Sequence, residues 1–342
     1  MESIKAWVYY GKRDLRFMDV EMKPLEPDEV RIEVYRSGLC STDVEEYFEG
    51  PIFKDRLPMI IGREFGGKVV EVGKGVSKEW IGKLVSVVPA VSCGECDYCL
   101  RSREDLCPNL GYYGLMKYDG GMAEYANVRV KNIVPVSNVD ILSFGELTAV
   151  SLEAVEKVRR ITEIGLEDSK ILIVGGGIVG AVLGLILRMN DVKVLFCENR
   201  KTRADMLRKI DFEVVESMGD LPNDRFDLVF DCAGHDVLLP PALPMSLMKL
   251  KPGGILLLMG IYSMEILDFR WDVLLRKEIS IIPSIFYRRK SIERISHYLE
   301  GISEHVKKLI TLVKPQDLKK YLEECGLDKG KYMRIVVEWK KV

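Results

Sequence analysis

Up to about residue 147 the chain masses or alternates valine and isoleucine in short runs between glycine and proline turns. EVRIEVYRSG (29–38), GGKVVEVG (66–73) and GKLVSVVP (82–89) are the clearest of these runs. Such runs read as short strands, and their close spacing predicts a barrel or sandwich. From about residue 148 the period changes. AVSLEAVEKVRRI (149–161) carries apolar residues at helical spacing. KILIVGGGIVG, VKVLFCEN, FDLVFDCAG and GGILLLMG follow as buried strands separated by helical segments. Strand–helix alternation of this kind predicts a parallel, doubly wound sheet. The last 50 residues run helix, helix and a final strand, YMRIVVEW. The expected organisation is therefore a β-rich domain over 1–147 and 290–342 around an α/β domain over 148–289, with no internal repeat.

Composition narrows the class. Of 342 residues, 47% are hydrophobic and 30% charged, which describes a globular chain rather than a disordered one. The formal net charge of -2 implies no broad basic field, so a nucleic-acid partner is not expected. No apolar run reaches membrane-spanning length, and MESIKAWVYYGKRD lacks a secretory core, so a cytoplasmic location is expected. Gln316 is the only glutamine, while Lys, Arg and Glu abound. That balance resembles thermophile composition, compositional drift being the alternative. Only His235, His297 and His305 are histidines, so the first 234 residues contain none.

Two motifs carry recognisable chemistry. Gly175, Gly177 and Gly180 form G-x-G-x-x-G between the strand KILIV and the helical AVLGLILRM, with Ile178 and Val179 opening the helix. The glycines permit a tight turn, close backbone approach to a pyrophosphate and helix–strand packing, and the helix N-terminus favours phosphate. Glu198 ends the next strand, where a carboxylate accepts from ribose hydroxyls and repels a 2′-phosphate. Arg200 and Lys201 follow it and would welcome that phosphate. NAD is thus favoured, with NADP or dual use as the alternative. The second motif is CGECDYCLRSREDLC, which spaces Cys93, Cys96, Cys99 and Cys107 as C-x2-C-x2-C-x7-C. Four thiolates at this spacing wrap one tetrahedral Zn2+ with no open position, a structural site. An iron–sulfur cluster or disulfides are the alternatives.

Together these features resemble the medium-chain dehydrogenase/reductase family of zinc-containing alcohol and polyol dehydrogenases, over essentially the whole chain. The family's G-x-C-x-[ST]-D matches Gly38, Cys40, Thr42 and Asp43. Its G-H-E-x-x-G matches Gly62, Glu64 and Gly67, with Arg63 in place of His. GGMAEYANV (120–128) and the four-cysteine lobe also match. FGELTAVSLEA (144–154) resembles the polyol branch's segment, with Glu146 as counterpart of a carboxylate ligand, Leu147 in place of Pro and Glu153 in place of His. The resemblance implies a GroES-like β-rich catalytic domain plus a Rossmann domain, with the active site between them. It implies reversible oxidation of a secondary alcohol, polyol or sugar by hydride transfer to nicotinamide, in a homo-oligomer, dimer or tetramer. It further implies that Asp43 supports the residue at position 63, that Thr42 relays the alcohol proton, and that Arg334 lies near the pyrophosphate and Glu64. A hydroxyl at Thr42 also suits a turn cap, and Arg334 also reads as a solvated strand residue. The relay His expected two residues after Asp43 is Glu45.

Arg63 divides the reading. A guanidinium does not deprotonate in proteins and is no ordinary ligand, and no first-domain histidine replaces it. Cys40, Glu64 and Glu146 remain as ligands for a second, catalytic zinc. A guanidinium aimed at that zinc would meet repulsion of roughly 8 kcal/mol at about 4 Å with an effective dielectric near 20. Arg63 would then turn away, into a bidentate pair with Asp43. Two alternatives stand beside this one: a carbonyl or enone reductase without catalytic zinc, in which Arg63 polarises the substrate oxygen, and a non-catalytic nucleotide-binding relative.

Overall fold

The computed structural model describes residues 3–234, 242–262 and 270–341. His235 lies outside them. The chain divides into two units, Met1–Ala149 with Arg288–Val342, and Val150–Tyr287.

The first unit opens with β1 (Ser3–Gly11), β2 (Asp14–Glu21), β3 (Glu29–Gly38), α1 (Ser41–Glu49), β4 (Met59–Ile60), β5 (Glu64–Val72) and β6 (Leu84–Val87). It continues through β7 (Ala90–Val91), α2 (Asp97–Leu100), β8 (Gly111–Tyr113), β9 (Lys117–Tyr118), β10 (Tyr125–Arg129), β11 (Ile133–Pro135) and the start of α3 (Gly145–Ile161). The change of period noted near 148 falls inside α3. The main sheet runs β11-β6-β5-β3, with β10 also pairing β3. Alternation along β3 explains its place at the centre: Val30, Ile32 and Val34 point into a core with Phe65, Val69, Val85 and Val87. Smaller sheets order as β2-β1-β4 and β7-β8-β9.

The second unit is built from β12 (Ile171–Val174), α4 (Ile178–Met189), β13 (Val194–Cys197), α5 (Lys201–Arg208), β14 (Glu213–Val215) and β15 (Phe226–Asp231), then α6 (Ala242–Lys249), β16 (Leu250–Leu258), α7 (Trp271–Arg276) and β17 (Ser280–Pro283). All described strand pairs are parallel, in the order β14-β13-β12-β15-β16-β17. This is the dinucleotide-binding order, with its switch point beside the first strand. Every residue of β12 is buried, as the continuous apolar run requires of a strand covered on both faces.

The chain then returns to the first unit through α8 (Arg289–Ile292), α9 (Ile295–Val306), β18 (Ile310–Val313), α10 (Leu318–Leu327) and β19 (Arg334–Glu338). β19 pairs antiparallel with β3, so the last strand completes the sheet of the first. The expected architecture, a GroES-like β-rich domain plus a Rossmann domain in an α/β chain, is the one observed.

Candidate active site and metal lobe

In the second unit, the dinucleotide loop leaves β12 at Gly175, whose φ of 93° suits glycine. Gly177 caps α4, and Ile178 and Val179 form its first turn. A Cβ on Gly180 would stand 2.2 Å from the Gly175 carbonyl oxygen, so only glycine lets this helix approach its strand. Glu198 is buried, and its two carboxylate oxygens accept from the amides of Gly176 and Arg200, both at 2.7 Å. A fixed negative charge therefore stands beside the loop, with Arg200 at the N-cap of α5.

In the first unit, the four cysteines of the lobe are all free. Their sulfurs lie 3.5 Å (Cys96–Cys99), 3.6 Å (Cys93–Cys107) and 3.9 Å (Cys93–Cys99 and Cys96–Cys107) apart. These are far from a disulfide's S–S length of about 2.05 Å. They match the roughly 3.8 Å edges of a tetrahedron with Zn–S arms of about 2.3 Å. The amides of Glu95 and Cys96 pull the Cys93 thiol down to about 6, towards the thiolate a metal needs, while burial pushes Cys99 up to about 12. Among the described residues these four are the one group of His, Cys, Asp and Glu side chains gathered closely enough to hold a metal.

The Arg63 region is built differently. Cys40 stands before the first turn of α1, and the Asp43 carboxylate accepts from its amide at 3.3 Å. Thr42 is buried, its hydroxyl oxygen 3.8 Å from the Cys40 sulfur. Arg63, just before β5, donates from Nη2 to Cys40 Sγ at 2.8 Å. Its Nε lies 3.1 Å from Glu146 Oε2 and 3.8 Å from Glu64 Oε1. Glu146, in the first turn of α3, accepts from the Tyr112 hydroxyl at 2.9 Å. Glu64 pairs with Arg334 of β19, which also donates to the carbonyls of Leu39 at 3.0 Å and Ser143 at 3.4 Å. A Cβ at Gly38 would collide with the Arg334 guanidinium, so glycine is what seats this arginine.

Two expectations are corrected here. Asp43 forms no bidentate pair with Arg63, although the two charges act on each other; its ion-pair partner is Lys54, with Nζ at 3.8 Å, and Lys54 in turn pairs with Glu46. Nor do Cys40, Glu64 and Glu146 converge as a metal set. The Arg63 guanidinium is bonded to Cys40 and faces Glu146, while Arg334 takes Glu64. The donors present do not fit a second zinc. Arg334, for its part, is a buried cation beside Glu64 and not a solvated strand residue.

Four buried carboxyl groups (Asp43, Glu46, Glu64, Glu146) thus face three cations (Lys54, Arg63, Arg334). Burial pushes the Glu146 carboxyl above its ordinary range against the pull of Arg63 and the Tyr112 hydroxyl. Burial does the same to Asp43 against Lys54 and Arg63. Burial opposes the charge on Arg63 too, but Cys40, Glu146 and Asp43 outweigh it and hold the guanidinium well above its ordinary value. Arg334, more deeply buried, falls to about 10. Burial also raises Glu45, against the pull of Lys329 at 3.8 Å.

Tyr112, Glu46 and Lys54 were not singled out from the sequence. Tyr112 carried a faint signal, since a tyrosine in an apolar strand needs a partner for its hydroxyl. Glu46 is three residues past Asp43 on α1, hence on the same face. Nothing local marks Lys54.

Comparison with known proteins places the chain. A sequence model of the alcohol dehydrogenase GroES-like domain matches residues 26–138. The (R,R)-butanediol dehydrogenase of Saccharomyces cerevisiae is 30% identical over 283 residues, 70% of this chain and 73% of that protein. The sorbitol dehydrogenase of Bacillus subtilis is 27% identical over 91% of this chain and 90% of its own. The crystal structure of galactitol-1-phosphate dehydrogenase from Escherichia coli superposes with a TM-score of 0.86 at 21% identity, covering 98% of this chain and 99% of that one.

Proposed function

Because the chain belongs to the medium-chain dehydrogenase/reductase family, we propose that it is an NAD(P)-dependent oxidoreductase that interconverts a secondary alcohol, polyol or sugar with its carbonyl form. The observation that carries this reading is the dinucleotide loop with Glu198 clipped to it through Gly176 and Arg200. Nicotinamide, when bound, supplies or accepts the hydride. The chain's own part begins at Gly175, which makes the turn, Gly177, which leaves room for a pyrophosphate, and Gly180, which seats α4 on its strand, and at the first turn of α4, which offers the phosphates amide hydrogens. The fixed Glu198 carboxylate favours NAD over NADP, since a 2′-phosphate would meet it as a like charge. Glu198→Ala should move the preference toward NADP; an unmoved ratio would show that Glu198 does not read the ribose.

Cys93, Cys96, Cys99 and Cys107 would hold one structural Zn2+, whose chemistry is to cross-link the lobe. No described helix is long and apolar enough to cross a membrane. Homo-oligomeric assembly, a cytoplasmic location and a thermophilic source belong to the same reading, on composition and resemblance.

The test is nicotinamide absorbance with NAD and NADP against vicinal diols, pentitols, hexitols, secondary alcohols and the matching ketones. Turnover on at least one alcohol–carbonyl pair is expected. Tight cofactor binding with no turnover on any of them would replace this reading with that of a non-catalytic nucleotide-binding relative.

A further inference from the structure

The Arg63 cluster shows one cation presented above a sealed set of anions. The side chains of Glu64 and Glu146 are 1% and 6% exposed, whereas that of Arg63 is 18% exposed. Nη2 is hydrogen-bonded to Cys40, and Nε lies in ion-pair contact with Glu146 and Glu64 without a hydrogen bond, so the guanidinium is held by one bond and by charge on the other side. Nη1 takes part in none of these contacts. Cys40, Glu146 and Asp43 stabilise the positive charge, so this donor does not titrate in the working range. A fixed, permanent cation with a spare N–H at a partly open surface is what a developing oxyanion needs.

We propose that Arg63 is the electrophile of this enzyme, donating from its guanidinium to the substrate oxygen in the place that a second metal ion would otherwise take. This rests on the oxidoreductase reading above. In the reducing direction a hydride joins the carbonyl carbon with its electron pair, and the nicotinamide is oxidised. The carbonyl π pair moves onto oxygen, which accepts from Arg63. The resulting alkoxide takes its proton from water, since Arg63 stays charged throughout. Alcohol oxidation is the reverse, with the hydroxyl proton leaving to water as the hydride departs.

The test uses the full-length, zinc-replete protein on whichever alcohol–carbonyl pair it turns over. Arg63→Gln should lower kcat on the order of 10²-fold, as expected for loss of one oxyanion donor, with the dissociation constant for the reduced cofactor unchanged. Arg63→Lys, which keeps a cation, should retain more activity than Arg63→Gln. If Arg63→Gln fails to fold because Glu146 loses its counter-charge, the double variant Arg63→Gln, Glu146→Gln removes both charges and carries the same expectation. The purified wild type should contain one zinc per chain and keep its rate after dialysis against a chelator that leaves the lobe intact. Two zinc ions per chain, with activity lost on removal of one and restored by adding it back, would overturn the proposal. So would a glutamine variant within threefold of the wild-type kcat, or one in which only KM for phosphorylated or carboxylated substrates rises, which would make Arg63 an anion seat. A wild type that transfers no hydride on the whole panel overturns the oxidoreductase reading and this proposal together, whereas turnover indifferent to Arg63 overturns this proposal alone.

Discussion

The first unit holds two places where cysteine meets other metal-binding side chains, and they resolve in opposite ways. In the lobe, four sulfurs stand 3.5–3.9 Å apart. Around Arg63, one sulfur and two carboxylates are each occupied by an arginine: Cys40 and Glu146 by Arg63, Glu64 by Arg334. Both places gather side chains that can carry negative charge. In the lobe Arg103 is committed to Asp105, and the four gathered sulfurs suit a metal. The other region carries its counter-charges in its own side chains. The presence of ligand-type residues is thus not enough to read a metal site; what already balances their charge decides.

The largest effect expected from this contrast lies in the lobe. Cys93→Ser should release zinc and lower the melting temperature by roughly 10 °C, since structural zinc binding is folding energy, while cofactor binding partly survives. Metal analysis giving the wild-type zinc content in that variant would remove the structural-zinc reading.

Next is an attempt to turn one region into the other. Arg63→His removes the cation and adds a neutral ligand beside Cys40 and Glu146, so the zinc content should rise from one to two per chain. An unchanged count would show that more than the guanidinium keeps metal out.

A third test asks whether charge pairing holds the region around α1. Lys54→Met leaves Glu46, which is 0% exposed, with only the amides of Ile52, Phe53 and Lys54 as donors. Breaking a buried pair from one side costs about 3 kcal/mol or more, measurable by urea denaturation. A loss below about 1 kcal/mol would mean that Glu46 needs no counter-ion.

The smallest effect is a pH slope. The Glu146 carboxyl is raised above its ordinary value of 4.5, chiefly by burial, so the folded state binds its proton more readily than the unfolded state does. Its contribution to stability is therefore complete below pH 4.5 and is lost as pH rises through the raised folded value. Glu146→Gln should flatten the dependence of the urea midpoint on pH in that window. An identical slope in wild type and variant would place the titration elsewhere.

Much of the fold was legible because it is written in local patterns. β12 and the glycines after it announce a buried strand, a tight turn and a helix, and β3 announces its buried face by alternation. The clustering of the lobe was legible because all four cysteines sit within 15 residues of one another, where spacing constrains geometry. The Arg63 region was only half legible. Cys40, Thr42, Asp43, Arg63, Glu64 and Glu146 could each be named from a motif, but the direction of Arg63 could not, and its pairing was expected at Asp43. Asp43 was already engaged by Lys54 and the Cys40 amide, partners that no pattern links to it.

What the sequence by itself determined is the order of elements, the parallel sheet with its dinucleotide loop, and the gathering of four cysteines, because strand period, glycine turns and short-range cysteine spacing act over a few residues. The tertiary structure alone decided which charge faces which. Arg334 reaches Glu64 because β19 returns to pair with β3, and Glu146 reaches Arg63 because α3 begins beside them. Those contacts join residues as far apart as 64 and 334. The energy of a buried charge depends on distance and burial, neither of which is written along the chain.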